Sequence, residues 1–189
     1  KVLTQTGKFS ELFSSLGSKT NRLIPQDFYL SLMKGDSSGR CYPLVRAMSV
    51  ALASNGQAGA DILIDKLYIA AADPESRDAL LLQSSLKNLH SNIDAVESSF
   101  SHGVMELKQI QTLLEMKEET KLFALNSKKH AMLIGKIIVD GKSSYYFYDP
   151  NFGLFSFKNS KRLFSALKTF FVDKKMADYY SSFERNNKL

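Results

Sequence analysis

Ser38-Gly39-Arg40-Cys41-Tyr42-Pro43-Leu44-Val45-Arg46-Ala47-Met48-Ser49-Val50-Ala51-Leu52 carries the only cysteine of the chain, where a glycine-bearing turn runs into an apolar helix. Pro43 suits the first turn of a helix, because its missing N–H would have no intrahelical partner there. From Leu44 the apolar residues return at helical spacing, through Ala47, Met48, Ala51 and Leu52, and Asn55-Gly56 reads as a C-terminal stop. Cys41 is therefore expected at the N-terminal end of a buried helix. The helix dipole and the unpartnered N–H groups favour an anion there, and the anion is the nucleophilic form of a thiol. An isolated cysteine is ordinarily a small buried hydrophobe. What argues for chemistry lies far downstream, in His130 and Asp149.

The composition sets wide bounds. The 189 residues are enough for one domain with a real core, and 44% hydrophobic with 23% charged residues suits a globular protein. No run is long and apolar enough to span a membrane as a helix. The start at Lys1-Val2-Leu3-Thr4-Gln5, with no apolar leader after it, reads as a piece cut from a longer chain. One cysteine excludes an internal disulfide. Cys41, His90, His102 and His130 lack metal-ligand spacing, so neither metal nor cofactor is expected. The net charge of +6 suits an acidic partner or an anionic membrane surface, but the basic residues are scattered, and no nucleic acid is expected.

The chain divides into helices first and sheet second. Residues 1–21 are expected to be peripheral, either a packed N-terminal helix or a linker helix from a longer chain, with Phe9, Leu12, Phe13 and Leu16 on one side and Gly17 ending it. Residues 22–189 are expected to form the working domain. The turn formers Lys34-Gly35-Asp36-Ser37-Ser38-Gly39 lead up to Cys41. Helices are predicted over 41–55, 58–72, from an Asp73 cap with Pro74 in the first position to about Leu89, and over 105–118. His90 reads as a helix C-terminal residue and His102, beside Gly103, as a turn residue. Strands are then predicted over 122–125, 130–139, 145–149 and 154–157, with Asp140-Gly141 as a hairpin turn. A helix capped by Asn159 or Ser160 runs to Phe171. The tail around Tyr179-Tyr180 fits a strand or a helix equally. The expected class is α+β, a nucleophile helix packed on an antiparallel sheet.

A thiol nucleophile needs a base, and the base needs an orienting group. His130 opens one strand of the predicted hairpin and Asp149 closes its partner. With a turn over 140–142, Lys136–Val139 would pair with Ser143–Tyr146 and the far ends of the two strands would converge. His130 and Asp149 are then expected within side-chain reach, if the start of the Cys41 helix docks on that edge. Taken singly, His130 reads as a strand-end residue and Asp149 as a turn former before Pro150. The conjunction of the three is harder to dismiss.

The order Cys, His, Asp on a helix-then-sheet layout resembles the papain-like fold. More specifically, Gly39-Arg40-Cys41 opening an apolar helix, His130-Ala131, and Tyr148-Asp149-Pro150-Asn151-Phe152-Gly153 resemble the YopT-like cysteine peptidase family of bacterial effectors and toxins. Arg40-Cys41-Tyr42 is similar to a motif of the "makes caterpillars floppy" effector domains of large toxins, and to the cysteine protease segment of LifA-type toxins. By that resemblance Cys41 would be the nucleophile, His130 the general base and acid, and Asp149 the orienter. The resemblance implies a thiol peptidase of a bacterial toxin, secreted or translocated, that cleaves a host protein in the host cytosol or at a membrane surface, or processes its own parent chain. A small GTPase is one implied substrate. The same triad would also serve deamidation, transglutamination or acyl transfer, and a host-protein-binding module is the reading of a different class. The oxyanion would take the backbone N–H of Cys41 and a donor from upstream. The papain-like glutamine six residues before the nucleophile is absent, since Gly35 stands there. Ser37, Ser38 and Gln26 are the candidate replacements, and Arg40 is a candidate for stabilising the thiolate or binding a substrate carboxylate.

Overall fold

The computed structural model describes residues 2–30, 41–91, 106–126 and 130–185. Its centre is a five-stranded, wholly antiparallel sheet. The strands are β1 (Ser18–Leu23), β2 (Lys121–Asn126), β3 (Ala131–Val139), β4 (Lys142–Asp149) and β5 (Gly153–Phe157), in the spatial order β1-β5-β4-β3-β2. Helices cover both faces: α1 (Val2–Ser15), α2 (Gln26–Leu30), α3 (Cys41–Ala72), α4 (Arg77–Ser91), α5 (Leu107–Glu115), α6 (Ser160–Lys168) and α7 (Met176–Arg185). A single π-helical turn, Thr169–Asp173, follows α6. The expected α+β class, with the nucleophile helix on an antiparallel sheet, is what the chain adopts.

Alternation along the strands builds two cores. Ala131, Leu133, Ile137, Tyr146, Tyr148 and Leu154 point to the side of α3 and α4, where they meet Leu44, Met48, Leu52, Ile64 and Leu67. Met132, Ile134, Phe147, Phe155 and Phe157 point the other way, to α1, α5, α6, the π turn and α7. That second core is aromatic. Phe13 packs against Phe147, Phe155, Phe157 and Phe170 with ring centroids 4.4–6.2 Å apart.

Two expectations are corrected and one is met. Residues 1–21 are not peripheral: α1 places Phe9 and Phe13 in the aromatic core, and β1 pairs with β5 at the sheet edge. The polar sequence of β1, Ser-Lys-Thr-Asn-Arg-Leu, carries no alternation, so its pairing is written only in its partner. Asp73 does not cap the third helix. Ser76 does, its Oγ accepting the Ala79 N–H at 3.1 Å, because the chain uses Asp73–Ser76 as a turn before the helix starts. The expected break at Asn55-Gly56 is present inside α3. Asn55 and Gly56 leave helical geometry there, Gly56 at φ 54°, ψ −139°, so two helical segments meet at a kink.

The hairpin is tighter by one residue than expected. Asp140 and Gly141, both at positive φ, form a two-residue turn, and Val139 pairs with Lys142. Leu133 is opposite Tyr148. Continued, this register puts Asp149 opposite Met132, which shares its face with His130. A three-residue turn would have put Asp149 opposite Leu133, on the other face. One residue of register therefore decides whether His130 and Asp149 can meet.

Candidate active site

The site forms at one end of the sheet, where β3 begins and β4 ends. Cys41 is the first residue of α3 and faces the α3 core, with Leu44 and Val45 anchoring the first turn. Pro43, in the first turn of α3, has no N–H to leave unpaired there. His130 stands immediately before β3, and Asp149 is the last residue of β4. All three are buried. α3 packs against β3 and β4, and Cys41 at its start hydrogen-bonds His130.

His130 Nε2 and Asp149 Oδ1 are 2.8 Å apart. As diagonal neighbours on one face of the hairpin they meet without strand distortion. The remaining ring nitrogen, Nδ1, is the one left for Cys41, which also hydrogen-bonds His130. Burial by itself would pull the His130 pKa down. The hydrogen bonds and charges of Asp149 and Cys41 outweigh it and lift the group from 6.5 to about 9. His130 is therefore a cation at neutral pH, held between an acceptor on each side.

Asp149 is gripped from several directions. Its Oδ1 also accepts the backbone N–H of Asn151 at 2.9 Å, which is the Asx-type turn that Asp-Pro-Asn favours. Its Oδ2 accepts the hydroxyl of Tyr180, from α7. The Tyr180 ring stacks on the His130 imidazole, centroids 4.2 Å apart and planes 23° apart. Burial, then the Asp149 charge, push the Tyr180 phenol well above its usual range, so it stays a donor. Asn151 donates through Nδ2 to the Tyr180 oxygen at 3.3 Å and accepts from Gln26 Nε2 at 2.9 Å. On the opposite face, the hydroxyls of Tyr29 and Tyr148 lie buried beside each other near Cys41.

The structure thus brings Cys41, His130 and Asp149 together. Gln26 is also present: one N–H of its side-chain amide donates to Asn151 Oδ1, and its backbone N–H donates to Pro150 O at 2.7 Å, both at the carboxylate end of the site. Ser37, Ser38, Arg40 and His102 lie outside the described residues. His90 is in the last turn of α4, as expected. Among the described residues no three His, Cys, Asp or Glu side chains gather as a metal site. Sequence reading missed Tyr180 and the side-chain role of Asn151. Asn151 had a signal, being inside the Asp-Pro-Asn-Phe-Gly turn. Tyr180 had none, because it is 31 residues from Asp149 in a tail of ambiguous pattern.

The model of the Mcf1 protease effector domain family matches residues 1–188. This chain belongs to that family. Its relatives are segments of very large proteins. A toxin of Photorhabdus asymbiotica is 32% identical over 185 residues, which is 93% of this chain and 6% of the toxin. Toxin Afp18 of Yersinia ruckeri is 31% identical, over 88% of this chain and 8% of the toxin. A multifunctional-autoprocessing repeats-in-toxin of Vibrio vulnificus is 30% identical, over 92% of this chain and 4% of its own length. Among solved structures, the crystal structure of PatoxP, a cysteine protease-like domain of the Photorhabdus asymbiotica toxin PaTox, superposes with a TM-score of 0.69 at 26% identity. It covers 94% of this chain and 54% of that one. The expected likeness to toxin protease domains of the "makes caterpillars floppy" type is met by the family match, and the fold is that of a cysteine protease-like toxin domain.

Proposed function

We propose that this member of the family is a cysteine peptidase with Cys41 as nucleophile, His130 as general base and acid, and Asp149 as the group that orients and charges His130. The observation that carries the reading is the buried 2.8 Å contact of His130 Nε2 with Asp149 Oδ1, with Cys41 bonded to the same imidazole. The anionic Cys41 sulfur attacks the scissile carbonyl carbon, forming a C–S bond while the carbonyl oxygen takes the charge. The Cys41 N–H, at the start of α3, is one donor for that oxygen. Collapse of the intermediate breaks the C–N bond, and His130 gives its proton to the departing amine. Water then attacks the thioester with His130 as base, releasing the acid and restoring the sulfur. Asp149 remains ionised throughout, holding the imidazole in place and stabilising its cationic form.

The proposed substrate is a host protein or the parent toxin itself, met after secretion or translocation in the host cytosol or at a membrane surface. A small GTPase fits the likeness to YopT-like enzymes. Against copying that family's substrate in detail stands this chain's net charge of +6, which opposes a basic target tail.

The test has two stages. The rate of Cys41 alkylation by a thiol electrophile is first followed against pH. Wild type should react steadily across the neutral range, and His130→Ala should react only as pH approaches the ordinary thiol value of about 8.5. Identical profiles would remove the base from the reading. New protein N-termini are then mapped in a host lysate after exposure to wild type or Cys41→Ala. New termini with wild type alone support a peptidase. Conversion of glutamine to glutamate without new termini would overturn it in favour of a deamidase.

A further inference from the structure

We propose that Tyr180 is a positioning residue of the site, donating its hydroxyl to Asp149 Oδ2 and covering the His130 imidazole, so that the Asp149 carboxylate is held with Oδ1 turned to His130. The proposal rests on the triad reading above and extends it to the far end of the chain. A buried carboxylate stays charged only if its oxygens are hydrogen-bonded. Asp149 is fully buried. Its Oδ1 is occupied by His130 and the Asn151 N–H, at 2.8 and 2.9 Å. The hydroxyl of Tyr180 is the donor to the other oxygen among the described residues. Asn151 Nδ2, at 3.3 Å, fills the acceptor side of that hydroxyl, so its proton points at Asp149 and not away. Gln26 fixes Asn151 in turn. The Tyr180 ring then lies nearly parallel over His130 and shields the His130–Asp149 bond from water. Structural need alone does not account for this arrangement, since an apolar ring would fill the same place in the second core, of which Tyr180 is a buried member.

The experiment uses the whole chain with Tyr180→Phe, which keeps the ring over His130 and removes only the donor. Without that donor the carboxylate holds the imidazole less firmly, and the acid limb of the Cys41 alkylation profile should move to higher pH by about one unit, with a fall in melting temperature no larger than one lost buried hydrogen bond gives. Tyr180→Leu, which also removes the cover, should move the limb at least as far and slow alkylation at the plateau. A fluorinated tyrosine at 180 preserves shape and makes the hydroxyl a stronger donor. It should move the limb to lower pH, opposite to Phe, and it decides the matter if Phe or Leu fails to fold. An unmoved limb in both the Phe and the fluorinated protein, with wild type and His130→Ala behaving as the triad requires, would overturn the role of Tyr180 alone. Identical profiles for wild type and His130→Ala would overturn both readings.

Discussion

Three hydrogen-bond donors converge on the carboxylate of Asp149, and their sequence distances differ widely: Asn151 is two residues away, His130 nineteen and Tyr180 thirty-one. Each raises the cost of losing the charge. The consequence for stability has a definite sign. The folded pKa of His130 is raised to about 9, above its ordinary 6.5. Its contribution to stability is therefore complete below about pH 6.5 and is lost as pH rises through about 9. Melting curves of wild type and His130→Ala should differ most at pH 6 and converge towards pH 9.5. A gap that widens with pH would contradict a raised pKa. At this scale the sequence named Cys41, His130 and Asp149 correctly as neighbours. It could not name Tyr180, because a tyrosine in an unpatterned tail has no spacing relation to the hairpin it completes.

Among the elements, the β4–β5 turn does the most to set the geometry. Pro150 ends β4, the Asx-type bond of Asn151 tightens the bend, and Phe152 N–H returns to Asp149 O at 2.9 Å. Gly153 then opens β5 in close contact with β1. A Cβ there would lie 2.2 Å from the Arg22 carbonyl oxygen, which is backbone and cannot swing aside. Gly153→Ala should therefore push β1 away and cost about 1–3 kcal/mol, read as a lowered urea midpoint. Its effect should extend to alkylation of Cys41, since Ile24 N–H and Gln26 N–H, just after β1, bond Phe152 O and Pro150 O beside the site. An unchanged midpoint would show that β1 tolerates the displacement. The aromatic-Asp-Pro-Asn-aromatic-Gly stretch was legible as a turn from its residue types. Its contact with a strand some 130 residues earlier was not, because β1 is polar and its match is made by backbone hydrogen bonds that any residues supply.

Across the whole molecule, the site sits where two separately packed layers meet at one end of the sheet. Cys41 comes from the α3 layer, Tyr180 from the aromatic layer beneath, and His130 and Asp149 from the sheet between. Both layers must be in place for the proposed triad and its support to assemble. The aromatic layer depends on α1, so Phe13→Ala should destabilise the fold by about 3–5 kcal/mol, visible as a large drop in melting temperature. A loss below about 1 kcal/mol would mean that α1 is dispensable. The expectation that residues 1–21 are peripheral failed for a physical reason. A short amphipathic helix shows that it has an apolar side, but not how large an apolar surface awaits it.

The sequence by itself determined the order of helices and sheet, the break at Asn55-Gly56, the hairpin at Asp140-Gly141, and the start of a helix at Cys41. These follow from local chemistry: periodicity, positive-φ glycines and a proline in a first turn. Tertiary structure alone decided the one-residue register that puts His130 and Asp149 on one face, the polar β1 edge, the capture of α1 by the aromatic core, and the arrival of Tyr180 over His130. Those depend on which surfaces remain to be covered once neighbouring elements have packed, and on backbone pairing, which carries no residue code.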